Sequence, residues 1–365
     1  MPTGDCRLLT DDWFLCYDCS HTTPSARVTL AASLQFIREL PKVELHLHLE
    51  TSLRLRRLAE RGRRASGPHD DSPGPSDVTE PQRIADPARF TGYDRLRRLR
   101  YLSRAGRIAD EWYTPENIEQ ITLELLEEAA LQRVRYVEVR VGGRRGFALL
   151  GADRMLGAMA RARARAESRL GISSGFLVTI VRERGPEEAE QRVREAIACR
   201  DCGVVGVDLA GDEQNYPPAL FARPLGLARE AGLGITVHAG EFAGPASVWT
   251  AVYHLGAQRI GHGIRAADDS ELLTRLRERG VTLELCPTSN LHLGLCASMG
   301  ALPLRRLLDA GVSVTVNSDD PMLLGTDLSR ELHAVATTFS LGAAEVTRLV
   351  TNAARAAFAP VPALP

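Results

Sequence analysis

Eight short runs rich in Val, Ile and Leu recur along this chain, and most are followed by a helix-like stretch. The runs are Val43–Glu50, Val134–Val141, Phe176–Arg182, Val204–Ala210, Gly234–Glu241, Arg259–Ile264, Val281–Cys286 and Val312–Asp319. Amphipathic stretches separate the later ones: Asp153–Leu170, Pro186–Cys202, Ala219–Ala231, Ala246–Leu255, Asp269–Arg279 and Pro303–Ala310. Asp327–Phe339 and Ala343–Phe358 close the chain as helices. Buried parallel strands alternating with helices make an α/β protein. Eight such units close into a (β/α)8 or TIM barrel more readily than they form an open sheet.

A barrel of this kind needs about 250 residues plus insertions, so a chain of 365 residues can use most of its length as one domain. We assign residues 34–365 to the barrel and residues 1–33, which show no clear period, to an N-terminal extension. Leu34–Leu40 reads as a short helical lead-in stopped by Pro41, and Leu53 to Arg64 as a helix after the first strand. Residues 66–87 are rich in Gly, Pro, Ser and Asp and read as a long loop; loops this long in compact domains are commonly lids. Arg89 to Gly106 is Arg-rich and amphipathic. Thr114-Pro115 starts a helix running to about Gln132, with Asn117 standing where a capping box would place Glu or Gln.

The formal net charge of -1 points to neither nucleic acid nor an anionic membrane as partner. No apolar run approaches the roughly 20 residues that span a bilayer, and no basic start precedes an apolar segment as in a secretion signal. The expected location is cytoplasmic. Among seven cysteines, Cys16/Cys19 and Cys199/Cys202 are spaced C-x-x-C. The pairs lie far apart, and reduced, structurally ordinary thiols are the better reading.

The run Val43-Glu-Leu-His46-Leu-His48-Leu-Glu50 alternates, and residues i and i+2 of a strand share a face. His46 and His48 therefore point one way with Glu44 and Glu50. Two imidazoles on one strand are half of a metal site, or else the polar face of an ordinary edge strand. The other strand ends supply what is missing. The active site of such barrels sits at the C-terminal ends of the strands, and there lie Asp208 with Gly211-Asp-Glu213, His238-Ala-Gly-Glu241, Gly261-His262-Gly263, Cys286-Pro-Thr-Ser289-Asn290 and Asn317-Ser-Asp319-Asp320. Three histidines and one carboxylate, His46, His48, His238 and Asp319, would fill one zinc site per chain that still admits a water. His262 is left to act on the proton of that water, and Glu241, three residues past a ligand, is a candidate general acid. Singly, Glu241 reads as a helix-start carboxylate and His262 as a hydrogen-bonded core histidine; together they read as catalytic.

These motifs, in this order from about residue 40 to 358, resemble the adenosine deaminase family of metal-dependent amidohydrolases, which includes adenosine, adenine and aminodeoxyfutalosine deaminases. The resemblance implies a barrel with a single zinc and hydrolytic loss of the 6-amino group from an adenine ring. It implies zinc ligation by His46, His48, His238 and Asp319. Glu241 would share a proton with purine N1, and His262 would orient or deprotonate the water. Asp320 would hydrogen-bond N7 and the backbone of Gly211 would meet N3. His48 and Glu50 would face the substrate, a small purine nucleoside, with adenosine or 2′-deoxyadenosine as the default. Three features depart from the family pattern: Thr51 follows Glu50 where Gly is usual, Glu50 itself stands where adenosine-specific members have Asp, and the 66–87 loop falls where a helical lid is built. Glu at that position resembles adenine and aminodeoxyfutalosine deaminases. The rival of a different class, a catalytically silent binding protein on the same fold, predicts a lost ligand, and none is lost. Barrel hydrolases with two metals bridged by a carboxylated lysine are excluded because Lys42, the only lysine, precedes the first strand.

Overall fold

The computed structural model describes residues 31–49, 110–142 and 144–364. Glu50, the expected helix after it, the 66–87 loop, the Arg-rich stretch and all but the last three residues of the N-terminal extension lie outside the described residues. All eight expected strands form: β1 (Lys42–His48), β2 (Val134–Val141), β3 (Ser173–Val181), β4 (Val204–Ala210), β5 (Gly234–Ala239), β6 (Arg259–His262), β7 (Thr282–Leu285) and β8 (Ser313–Val316). They make one eight-stranded sheet in sequential order, and all paired neighbours run parallel. A bridge between Leu47 and Asp319 brings the end of β8 back to β1. The sheet is thereby a (β/α)8 barrel, with helices between successive strands.

Helix boundaries follow local chemistry. Thr114 caps the helix Pro115–Leu131 by accepting from Asn117 N at 3.2 Å. Asn117 turns its own side chain to the Trp112 carbonyl at 3.0 Å, so no capping box forms. Asp269 and Asp327, expected as the first helical residues, are instead the N-caps of Ser270–Arg279 and Leu328–Phe339. Three short helices were not expected, Arg144–Leu150, Pro287–His292 and Pro321–Leu324. The second begins at the Pro of Cys286-Pro-Thr-Ser-Asn290, a residue suited to the first helical turn.

β1 is buried along its whole length, so it is no edge strand. Its pairing with β2 shifts register between Glu44 and Leu47. The Glu44 carboxylate goes to the Ser318 backbone N–H at 2.7 Å rather than joining the histidines as alternation implies.

The barrel interior is charged. Arg140, Arg259, Glu138, Asp208 and Glu284 are all essentially inaccessible to solvent. Arg259 forms an ion pair with Glu284, Nε to Oε1 at 2.6 Å, and its guanidinium also pairs with Glu138. Arg140 pairs with Glu284 and lies 3.3 Å from Asp208. Beneath this layer sits Phe358, whose ring centroid is 3.6 Å from the Arg259 guanidinium. Gly206 and Gly234 make room for it, since a Cβ at Gly234 would lie 2.2 Å from the ring.

Cys199, Cys202, Cys286 and Cys296 are free thiols, and neither cysteine of the 199/202 pair belongs to a potential metal-binding group among the described residues. No described helix is long and apolar enough to cross a membrane.

Candidate active site

Four imidazoles from three strands converge at the C-terminal mouth of the barrel. His46 and His48 come from β1, His238 from β5 and His262 from β6. Ring centroids lie 4.7 Å apart for His46 and His238, 5.1 Å for His46 and His262, and 5.3 Å for His46 and His48. All four are buried. Asp319 enters from beyond β8. Its Oδ1 is 3.3 Å from His48 Nε2 and 3.6 Å from His46 Nε2. Barrel closure fixes it there: His48 N donates to the Asp319 carbonyl at 2.9 Å, and Asp319 N to the His46 carbonyl at 3.0 Å.

Carboxylates behind the cluster orient it. His46 Nδ1 is 3.0 Å from Glu284 Oε2, and His238 Nδ1 is 2.9 Å from Asp208 Oδ1. A carboxylate at Nδ1 fixes that nitrogen as the N–H and leaves the Nε2 lone pair for a ligand. Arg140 bridges the two carboxylates, so one buried guanidinium ties both imidazole supports together. Burial raises the Asp208 pKa, but the His238 and Arg140 charges outweigh it and hold the carboxyl well below its usual range. Burial, with Arg140 close by, keeps His46 neutral far below its ordinary pKa.

His262 and Asp319 both adopt left-handed backbone, φ 58° and 60°. That conformation is uncommon outside glycine and clusters at functional sites. His262 Nε2 faces Glu241 Oε1 at 3.6 Å and Asp319 Oδ2 at 3.8 Å. Burial lowers its pKa to about 3, so at neutral pH it is an uncharged base. The Asn290 amide lies 3.2 Å from His262 Nδ1, and Asn290 Oδ1 has no partner. It is Nδ2 that faces the ring; turned over, the amide accepts the Nδ1–H through the otherwise unpartnered Oδ1 and leaves the Nε2 lone pair facing the cluster. Burial pulls the Asp319 pKa up, yet the His48 and His262 imidazoles bring it to about 2.

Glu241 sits on the turn after β5, and that turn is held by one side chain. The Glu213 carboxylate accepts from four successive N–H groups, Gly240 (2.6 Å), Glu241 (3.1 Å), Phe242 (2.9 Å) and Ala243 (3.0 Å). Arg182 reinforces the same strand, donating to the His238 carbonyl at 2.7 Å. Asp320 is buried beside Asp319, and Gly211, φ 116°, follows β4.

The structure thus gathers His46, His48, His238, His262, Asp319, Asp320 and Glu241 at one mouth. Sequence reasoning missed the roles of Glu284, Arg140, Asn290 and Cys286. Cys286 stands with His46, His262 and Asp319 in a second group whose candidate ligand atoms lie within 4.8 Å of one another. Glu284 had a visible signal, a lone charge in the buried strand Thr282–Leu285; Arg140 shares its strand with Arg135 and Glu138 and does not stand out. The donor set fits a metal. His46, His48 and His238 offer ligand atoms within 4.8 Å of one another, and His46 Nε2 is buried with no hydrogen-bond partner.

The sequence model of the adenosine deaminase family matches residues 41–363. The chain belongs to that family. An adenine deaminase from Rhizobium johnstonii is 36% identical over 331 residues, 87% of this chain and 95% of that protein. An aminodeoxyfutalosine deaminase from Streptomyces avermitilis is 36% identical over 329 residues, 88% of each. A solved amidohydrolase from Burkholderia ambifaria with bound Zn superposes with a TM-score of 0.75 at 26% identity, covering 91% of this chain and 92% of that one. The buried imidazole and carboxylate groups at the mouth of the barrel could hold a metal ion, and in barrels of this kind active sites lie at that face.

Proposed function

We propose that this chain is a zinc-dependent aminohydrolase that exchanges the 6-amino group of an adenine ring for oxygen, releasing ammonia. His46, His48, His238 and Asp319 would hold the metal. A bound zinc ion would supply Lewis acidity, drawing the pKa of a water in the pocket towards neutrality. The rest of the chemistry belongs to side chains. His262, neutral and with Nε2 turned to the cluster, takes a proton from the water that adds to C6. Glu241 donates a proton to N1, which makes C6 electrophilic and absorbs the charge developing on the ring. Asp320 hydrogen-bonds N7, and the Gly211 backbone meets N3. His262 passes its proton to the amino nitrogen, the hydroxyl proton returns to Glu241, and collapse of the tetrahedral carbon expels ammonia and leaves the 6-oxopurine.

The observation that carries this reading is the spacing of His262, Glu241 and Asp319. A base, an acid and a metal-ligating carboxylate surround one volume, with His262 Nε2 within 3.6 Å and 3.8 Å of the two carboxylates. Adenosine and 2′-deoxyadenosine are the family default. The adenine and aminodeoxyfutalosine deaminases that resemble this chain along most of their length, and Glu50 in place of Asp, favour free adenine or a 5′-modified adenosine ahead of them. The test is a panel of 6-aminopurines followed by ultraviolet absorbance, since deamination changes the chromophore. The zinc-loaded protein should convert at least one of adenine, adenosine, 2′-deoxyadenosine and 6-amino-6-deoxyfutalosine. A chelator should abolish turnover and Zn²⁺ restore it. No conversion of any of the four, or full activity in exhaustively metal-free protein, would overturn the proposal.

A further inference from the structure

One carboxylate at the mouth has no task in the chemistry above. Glu183 lies just beyond the end of β3, in the turn Arg182–Arg184. The backbone N–H groups of Glu183 and Asp212 steady its side chain, yet its Oε2 is buried with no hydrogen-bond partner. No cation pairs with it among the described residues. Of the two guanidiniums adjacent in sequence, Arg182 is committed elsewhere, Nη1 to the Tyr216 carbonyl and Nη2 to the His238 carbonyl, each at 2.7 Å, and Arg184 acts on Glu183 through its charge without forming an ion pair. A buried carboxylate oxygen without a donor is costly, by more than an ordinary lost hydrogen bond. Burial accordingly raises the Glu183 pKa.

The position of that oxygen says which donor it awaits. It occupies the space beside Gly211 that any side chain there would fill: a Cβ on Gly211 would come within 2.2 Å of Glu183 Oε2. Gly211 is the residue placed at purine N3 in the reading above, on which this inference rests. With C6 at the imidazole cluster and N1 at Glu241, the N3/N9 edge of the ring points away from the metal side and towards the ends of β3 and β4. N3 is an acceptor, met by backbone. Its neighbour on that edge is a donor in free adenine, where N9 carries hydrogen. In a nucleoside N9 is glycosylated, and the donors nearby are ribose hydroxyls.

We propose that Glu183 is a specificity residue, its Oε2 accepting a hydrogen bond from the donor on the N3/N9 edge of the substrate, the N9–H of a free base or a ribose hydroxyl of a nucleoside. The pair Gly211 and Glu183 then presents donor and acceptor side by side, matching the order N3 acceptor and N9–H donor. A site built around such a bond discriminates strongly against a substrate lacking the donor, because the buried acceptor is left unmet.

Steady-state kinetics of the zinc-loaded wild type, Glu183→Gln and Glu183→Ala on adenine, 9-methyladenine, adenosine and 2′-deoxyadenosine test this. If N9–H is the donor, wild type prefers adenine to 9-methyladenine, and both variants lose about 10- to 100-fold in kcat/KM on adenine, the worth of one charge-assisted hydrogen bond. Their loss on 9-methyladenine is then small, so the preference collapses. If a ribose hydroxyl is the donor, the loss falls on adenosine instead and adenine is spared; discrimination against 2′-deoxyadenosine that vanishes in the variants identifies the 2′-hydroxyl. Either pattern supports the assignment. Equal losses on all four substrates, or none, would overturn it while leaving the deaminase reading intact. A wild type inactive on these four and on 6-amino-6-deoxyfutalosine would overturn both; one active on the last alone is compared with the variants on that substrate, where an unchanged kcat/KM overturns the assignment. Circular dichroism melts of the two variants guard against misfolding, and a variant that unfolds is replaced in the comparison by the other.

Discussion

Replacing Glu284 by Gln keeps the shape of the side chain and removes its charge from the centre of the barrel. In the wild type that charge faces Arg140 and Arg259, and one of its oxygens lies 3.0 Å from His46 Nδ1. All four side chains are fully buried. Breaking a buried ion pair from one side costs about 3–5 kcal/mol, because a charge is left uncompensated. Arg259 retains Glu138, and Arg140 retains Asp208 at 3.3 Å, so the lower end, about 3 kcal/mol, is expected. Metal affinity should fall separately. The amide is a weaker acceptor for the His46 Nδ1–H, and loss of such a support typically costs about 10–100-fold in affinity, or about 1.4–2.7 kcal/mol. Denaturant unfolding of the metal-free protein reads the first quantity; zinc competition against a chromophoric chelator reads the second. Glu138→Gln is the control. It breaks the other pair of Arg259 but touches no imidazole, so it should lower stability and leave zinc affinity alone. If Glu284→Gln and Glu138→Gln weaken zinc equally, or neither does, the carboxylate does not act through His46 and the reasoning fails.

Glu241→Gln should lower kcat by about 10²–10⁴ with little change in KM, since it removes a proton needed only in the transition state; a loss under about tenfold would mean that another group protonates N1. Asp319→Asn should preserve folding, because Asn tolerates left-handed backbone and the two main-chain bonds to β1 remain, while zinc affinity drops. A barrel that unfolds on this change would show that the carboxylate, rather than the backbone, holds the seam. Lys42→Met should alter the pH dependence of stability. Burial lowers the Lys42 pKa from 10.5 to about 8, so between those values the unfolded chain binds more protons and wild-type stability rises with pH. The variant should lack that rise, and equal slopes from about pH 8 to 10.5 in urea titrations would refute the shift.

The fold was legible because each strand of a parallel barrel is buried on both faces and reads as an apolar run, and each connection is a helix with its own period. Strand ends were less so. β8 ends at Val316 and β5 at Ala239, whereas the sequence reading carries these strands to Asp319 and Glu241. The difference has a cause in the site. Gly240 turns the chain at φ 66° and Asp319 at φ 60°, which ends regular pairing and aims the next side chains into the mouth. Periodicity registers where apolar residues fall, but not where the backbone leaves the strand. Glu50 and the 66–87 loop, two of the three departures from the family pattern, lie outside the described residues.

The histidines of the candidate site were legible for a different reason: histidine is scarce, and four of the nine in the chain fall at three strand ends. Their supports were harder to read because no local pattern pairs them. Arg140 and Glu284 stand 144 positions apart and meet only across the barrel. Each alone is a charge in a buried strand, an arrangement that is unfavourable until the partner arrives. That interdependence says something about assembly. His46 and His238 are oriented by carboxylates that are stable in the interior only when Arg140 has joined β2, β4 and β7, and Asp319 is positioned only when β8 meets β1. The donor set is therefore complete only once the barrel is closed. A metal that binds this set binds the closed barrel in preference to any open form, and so should stabilise the whole fold by mass action, not only the mouth where it sits.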